Sequence, residues 1–276
     1  MKRAFILLQL IPAMVLISCN SPEKLYKEEV AALTALVKPA SELITGESIS
    51  HLPEPVQRYF RYCGFVGTPI SNHAEVIWQE SHIKMKPEQK WMRLQTHQHN
   101  FVDPPARLAY MRANMFGLIP FEGRDKYHNG QGHMFGTLGR MIKVFDARDV
   151  ETAKGAAIVV LAEALLVPSY AIQPYIHWET VDELTVKARM IHGGIDVGGI
   201  FHFNEQGEYI RFTTDERPFS LPKGAYEQQP YTIEVRSYQQ QGDIKIAKEV
   251  AAIWNLPEGD FEYWRGSIGG IVFKHS

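Results

Sequence analysis

Two textures divide the chain. From about residue 74 onward, apolar and polar residues alternate in short runs separated by Gly, Pro, Asn and Asp. A period of two marks strands buried on one face. Candidate strands fall near 74–81, 91–101, 107–116, 121–128, 132–136 and 139–145, and then near 175–181, 184–191, 196–204, 208–214, 231–239, 243–254 and 261–273. Turn sequences such as Asp103-Pro104-Pro105 and Asn204-Glu205-Gln206-Gly207 leave only short links between them. Short links join antiparallel neighbours, because a parallel pair needs a long crossover.

Helical spacing interrupts this pattern three times. After Pro22, the residues Leu25, Leu33, Leu36 and Val37 share a face until Pro39 ends the run, with a charged face expected to be solvated. In "HLPEPVQRYFRYCGF" the stripe is Leu52, Val56, Tyr59, Phe60 and Cys63, with Pro53 in the first turn and Gly64 suited to the C′ position. The third helix is expected over 150–167, with Asp149 as N-cap and Pro168 as stop, and it is apolar nearly all round. The expected fold class is therefore mainly β with helices, α+β. About ten to thirteen strands form one large antiparallel sheet, curved or closed into an incomplete barrel around the inserted apolar helix, with N-terminal helices before it.

The first residues carry different information. Lys2 and Arg3 precede an apolar run, Ala4 to Leu16, broken only by Gln9 and Pro12. That is the form of a secretory leader, and it is shorter than the roughly 20 residues needed to span a bilayer. The end of the run, Leu16-Ile17-Ser18-Cys19, resembles the lipobox of bacterial lipoproteins. The resemblance implies a signal peptide over 1–18, cleavage before Cys19 and acylation of that thiol. Residues 19–50 then form a lipidated N-terminus and tether with a helix, and 51–276 a single β-rich domain. The implied location is the cell envelope, with the protein anchored to a membrane through its N-terminus and facing the periplasm or the exterior. The chain has 2 cysteines, too few for a disulfide framework, and Cys63 on an apolar stripe reads as a buried thiol.

Composition narrows the partners. A net charge of −2 with 22% charged residues offers no basic stripe, so nucleic acid is not an expected partner. Hydrophobic residues at 45% suffice for a packed core.

The segments "LPEPVQRYF", "GLIPFEG", "FHFNEQGE" and "FEYWRG", in that order, resemble a group of uncharacterised bacterial proteins, often membrane-associated, from Leu52 to the end. That resemblance implies no activity. The expected architecture is also similar to lipoprotein-localisation carriers and periplasmic lipid-binding proteins, which implies acyl chains held between sheet and helix.

His97 and His99 share a strand face with Gln95, but a zinc site needs a third protein ligand, and nothing in sequence brings His73, His82, Asp103 or Asp125 to them. Ser267 in "RGSIGG" lacks the glycine two residues earlier that marks a nucleophile elbow. Asp125, His128, Glu122 and Glu163 are conceivable acid–base groups without a fixed arrangement. No catalytic residue, metal set or cofactor is specified. More informative is the face Ala109, Met111, Ala113, Met115, where small residues alternate with flexible ones. Met111 and Met115, with Phe201, Phe203, Ile233 and Val235, are candidates to line a ligand space, against the alternative of ordinary core packing. Arg265, if inward, would form a structural ion pair or orient a charged head group. The leading expectation is a non-enzymatic lipoprotein that binds or carries a lipid, acyl chain or other apolar small molecule. An interaction protein with a filled core and an uncharacterised hydrolase are the alternatives.

Overall fold

The computed structural model describes residues 21–115 and 117–274. The expected leader, the lipobox-like stretch Leu16–Cys19 and the acylation expected at Cys19 fall outside the described residues. Two helices, α1 (Pro22–Thr34) and α2 (Glu54–Tyr62), precede six strands: β1 (His73–Ile83), β2 (Met92–Phe101), β3 (Ala106–Met115), β4 (Ile119–His128), β5 (Gln131–Leu138) and β6 (Ile142–Ala147). Helix α3 (Val150–Ala162) follows. Seven more strands complete the chain: β7 (Ile176–Thr180), β8 (Thr185–His192), β9 (Ile195–Phe203), β10 (Tyr209–Ser220), β11 (Tyr226–Gln241), β12 (Ile244–Leu256) and β13 (Gly259–Lys274).

The 13 strands among the described residues form one antiparallel sheet in the order β6-β5-β4-β3-β2-β1-β13-β12-β11-β10-β9-β8-β7. The seam is the pairing of the first strand with the last, running from His73 opposite Lys274 to Ile83 opposite Trp264. A meander spreads outward on each side of it. Helix α3 joins the two outer edges, and it packs against β4 and β5 of one arm and β8, β9 and β10 of the other. One helix touching both arms requires the sheet to curl, and the result is a half-barrel. The arms also meet directly at the β4–β5 and β8–β9 turns. There a Cβ on Gly193 would lie 2.6 Å from the Gly130 nitrogen, so only glycine fits this approach.

Local chemistry sets the helix ends. Asp149 caps α3 by accepting from the Thr152 N–H at 2.8 Å. The helix expected over 150–167 stops at Ala162, because the next residues tighten into turns bonded back to the Glu163 carbonyl. Tyrosine hydroxyls satisfy carbonyls at this end: Tyr209 donates to Ala162 O at 3.1 Å and Tyr59 to Leu165 O at 2.7 Å. Helix α2 ends in a Schellman motif, with Phe65 N–H on Phe60 O, Gly64 N–H on Arg61 O, and Gly64 at φ 75°. Its buried stripe of Val56, Tyr59 and Phe60, with Cys63 just beyond it, joins the main core. Cys63 is a free thiol whose pKa burial pushes up to about 12, so it stays protonated.

Helix α1 lies on the opposite, outer face of the sheet. Its Tyr26 is buried with Phe101, Ala106, Leu108 and Tyr110. Glu29, on the side expected to be solvated, instead accepts from Arg124 Nε and Nη2 at 2.8 Å each and from Lys126 at 3.0 Å. The Arg124 side chain is only 2% exposed, so that carboxylate is the counter-charge that offsets the cost of its burial. Replacing Glu29 with Ala should therefore lower the unfolding free energy by about 3 kcal/mol, measured by urea denaturation. Glu23→Ala, on an exposed i,i+4 pair with Lys27, should cost under about 0.5 kcal/mol.

Candidate functional site

The concave face of the half-barrel and α3 enclose a cavity of about 480 Å³. Its walls are mainly apolar: Met111 from β3, Ile233 from β11, Val250 and Ala252 from β12, and the indoles of Trp78 and Trp254. The helix side is lined by Ala156 and Val159, with Gly155 between turns, where no atom lies within 4 Å of a would-be Cβ. Small helix residues against a curved sheet leave space that larger side chains would fill. Met85 and Met134 line the rim and are exposed to solvent, which places the mouth beside them.

One wall carries a polar cluster. Arg107 donates through Nε to both oxygens of Glu163 (2.9 and 3.1 Å), through Nη1 to Asp125 (3.1 Å) and through Nη2 to the Gln98 oxygen (3.2 Å). Gln98 and Asn100 donate to the same Glu163 oxygen at 3.0 and 2.8 Å. Burial opposes the charge on Arg107, but Glu163 and Asp125 outweigh it and hold its pKa above the ordinary value. Both carboxylates are engaged as acceptors of one guanidinium, which is the geometry of a lock rather than of a proton-transfer pair. The second Asp125 oxygen, Oδ1, is buried and has no hydrogen-bond partner among the described residues.

A second arginine in the cavity is held differently. Arg217 lies with its guanidinium 3.9 Å from the Tyr231 ring centroid and 4.8 Å from that of Trp254. Its Nη1 donates to the Tyr263 hydroxyl at 3.1 Å, and that hydroxyl is 3.3 Å from the Tyr231 hydroxyl. Among the described residues no carboxylate comes within 4.0 Å of it. The sequence reading missed Arg217, because the ladder shifts register between Thr214 and Arg217 and the alternation that Phe212 sets is reversed beyond the shift.

The residues singled out from sequence are dispersed. Met111 and Ile233 line the cavity. Met115 borders a separate hollow with Trp91 and Arg112. Phe201, Phe203 and Val235 are buried in the core. Arg265 is exposed with its guanidinium 4.2 Å from the Trp91 ring centroid, and no carboxylate lies within 4.0 Å of it among the described residues. Its chain neighbour Trp264 lines the cavity instead. Asp125 and Glu163 converge on Arg107, whereas Glu122 pairs with Arg140 at 3.1 Å. His99 meets His73 rather than His97, with Nδ1 and Nε2 2.9 Å apart and His73 stacked on Phe101. Among the described residues no group of three His, Cys, Asp or Glu side chains is placed to hold a metal ion.

A family model matches residues 42–266, described as a family of unknown function (DUF6544). The chain belongs to this family. The match spans every cavity-lining residue, so the DUF6544 region contains the complete cavity, while α1 precedes it. No curated protein and no solved structure matches the chain.

The histidine pair within the DUF6544 region has a pH consequence. Burial, with His99 next, pushes the His73 pKa down to about 3, and burial lowers that of His99. The folded His73 ring thus stays neutral down to about pH 3, while its unfolded counterpart binds a proton below about pH 6.5. The unfolded state holds more protons throughout that window, so acidification destabilises the fold. Between pH 7 and 5 His73 alone should remove about 2 kcal/mol of stability. His73→Phe should show a correspondingly shallower loss in urea titrations at the two pH values.

Proposed function

We propose that this protein binds or carries an apolar ligand, such as a lipid or acyl chain, between its curled sheet and α3. The observation that carries the reading is the cavity itself: about 480 Å³, apolar over most of its wall, with polar groups centred on Arg107 and on Arg217. That is the form of a small-molecule site rather than of a filled core. Ligand removal from solvent then supplies the driving force, at roughly 25 cal/mol per Å² of apolar area.

The location we propose is the cell envelope, with Cys19 acylated and the domain displayed from a membrane. The Leu-Ile-Ser-Cys sequence supports it. No helix among the described residues is long and apolar enough to cross a membrane. A second reading, as an interaction protein, draws on the exposed apolar residues Leu118, Met141, Ile142 and Val144 near one sheet edge.

Two measurements test these statements. Solvent extraction of the purified full chain, followed by mass spectrometry, should recover a bound apolar molecule. Gly155→Leu puts a side chain into the open space beside α3, at a position where a non-glycine residue also favours the helix. This variant should keep its stability and lose the molecule. Recovery of no apolar molecule from the wild type, or equal recovery from a folded Gly155→Leu, defeats the carrier reading. For the anchor, Cys19→Ser should move the protein from the membrane to the soluble fraction or leave an uncut precursor; a variant that is processed and membrane-bound as before refutes lipidation.

A further inference from the structure

The two cavity arginines differ in what their nitrogens do. Arg107 spends Nε, Nη1 and Nη2 on Glu163, Asp125 and Gln98. Arg217 spends only Nη1, on a tyrosine hydroxyl. Tyr231 and Trp254 cover the guanidinium with ring faces, which stabilise the cation without occupying its edge. The Nε and Nη2 groups of Arg217 donate to no described residue. This same edge, in Arg124, grips the Glu29 carboxylate with two bonds of 2.8 Å. A planar fork of two parallel N–H groups matches a carboxylate.

We propose that the cavity selects a single-chain, long-chain carboxylate, its head group paired with the Nε and Nη2 edge of Arg217 and its chain laid along the apolar wall. This rests on the carrier reading above and adds the chemical class of the ligand. Charge and volume both bear on the class. Arg107 is already neutralised, and Lys84, the other cation of the lining, is a point charge over the Trp91 ring at 4.6 Å, so Arg217 is the lining cation whose planar fork is open to a carboxylate. A volume of about 480 Å³ accommodates about 16 water-sized groups at ~30 Å³ each, which is one acyl chain and not two or three.

The test uses the full chain and cis-parinaric acid, a fluorescent fatty acid excited by energy transfer from tryptophan; Trp78, Trp254 and Trp264 all line the cavity. Hexadecanoate, its methyl ester and hexadecyl phosphate are then titrated as displacers. Hexadecanoate should bind on the order of ten-fold more tightly than the ester. Arg217→Met should erase that difference by weakening the acid while leaving the ester unchanged. Equal affinity of acid and ester for the wild type, or a preference that survives in Arg217→Met, overturns the head-group assignment and leaves the apolar site standing. Tighter binding of hexadecyl phosphate than of hexadecanoate also overturns the carboxylate class. Binding of none of the probes overturns the carrier reading and this inference together. The comparison of acid with ester needs no variant, so a misfolded Arg217→Met does not rescue the proposal.

Discussion

The arrangement of this protein turns on the bond between Glu163 and Arg107. Helix α3 is rich in alanine and buries Ala153, Ala156, Ala157, Ile158, Val160 and Leu161, so hydrophobic burial alone would hold it against both arms without choosing a position along them. Glu163, at its C-terminal cap, is the polar group that meets a matching donor set on the sheet: Arg107, Gln98 and Asn100. Withdrawing two charges from water costs much of what their attraction returns, so the pair contributes little net stability and a great deal of positional definition. With the helix end fixed there, the preceding small residues Ala156 and Gly155 stand opposite the sheet at a separation they cannot close. The cavity follows from that stand-off.

Connectivity then makes curling unavoidable. The chain begins and ends its sheet at the centre, so the edges are β6 and β7, the strands that flank α3 in sequence. A flat sheet of this width would place those edges far beyond the reach of a helix of 13 residues. The Gly130 and Gly193 turns close the loop at one end, and Tyr127 adds a hydroxyl bond to His192 O at 3.4 Å. The edge-strand problem is met partly by this closure, although β6 keeps Ile142 and Val144 exposed.

Much of this was legible in the sequence. Strand existence, antiparallel meanders and the position of the three helices follow from periodicity and turn chemistry, which are local. What was not legible depends on pairs distant in sequence or on bulges. Glu29 reads as one more solvated carboxylate on a charged helix face until Arg124, far along the chain, is placed beneath it. Alternation along β3 identified the face of Met111 but not its extent, so Met115, four residues on, falls in a different hollow. On β10 the register shift before Arg217 reverses inside and outside, and on β13 another shift brings Trp264 rather than Arg265 to the cavity. One-residue irregularities of this kind decide which side chains meet a ligand, and no periodicity rule locates them.

The docked α1 changes what an anchor at Cys19 would mean. Residues 19–50 suggest a tether from composition, and a tether lets a domain stand away from its membrane. Helix α1 begins at Pro22, is capped by Ser21, and lies against β3 and β4. At no more than about 3.6 Å per residue, an acylated Cys19 would leave roughly 10 Å of chain before the fold begins. The outer face of β3 and β4 would then be held close to the bilayer. Exchange of a ligand with that bilayer would depend on how the half-barrel tilts about this short attachment, since the cavity opens on the concave face, beside Met85 and Met134.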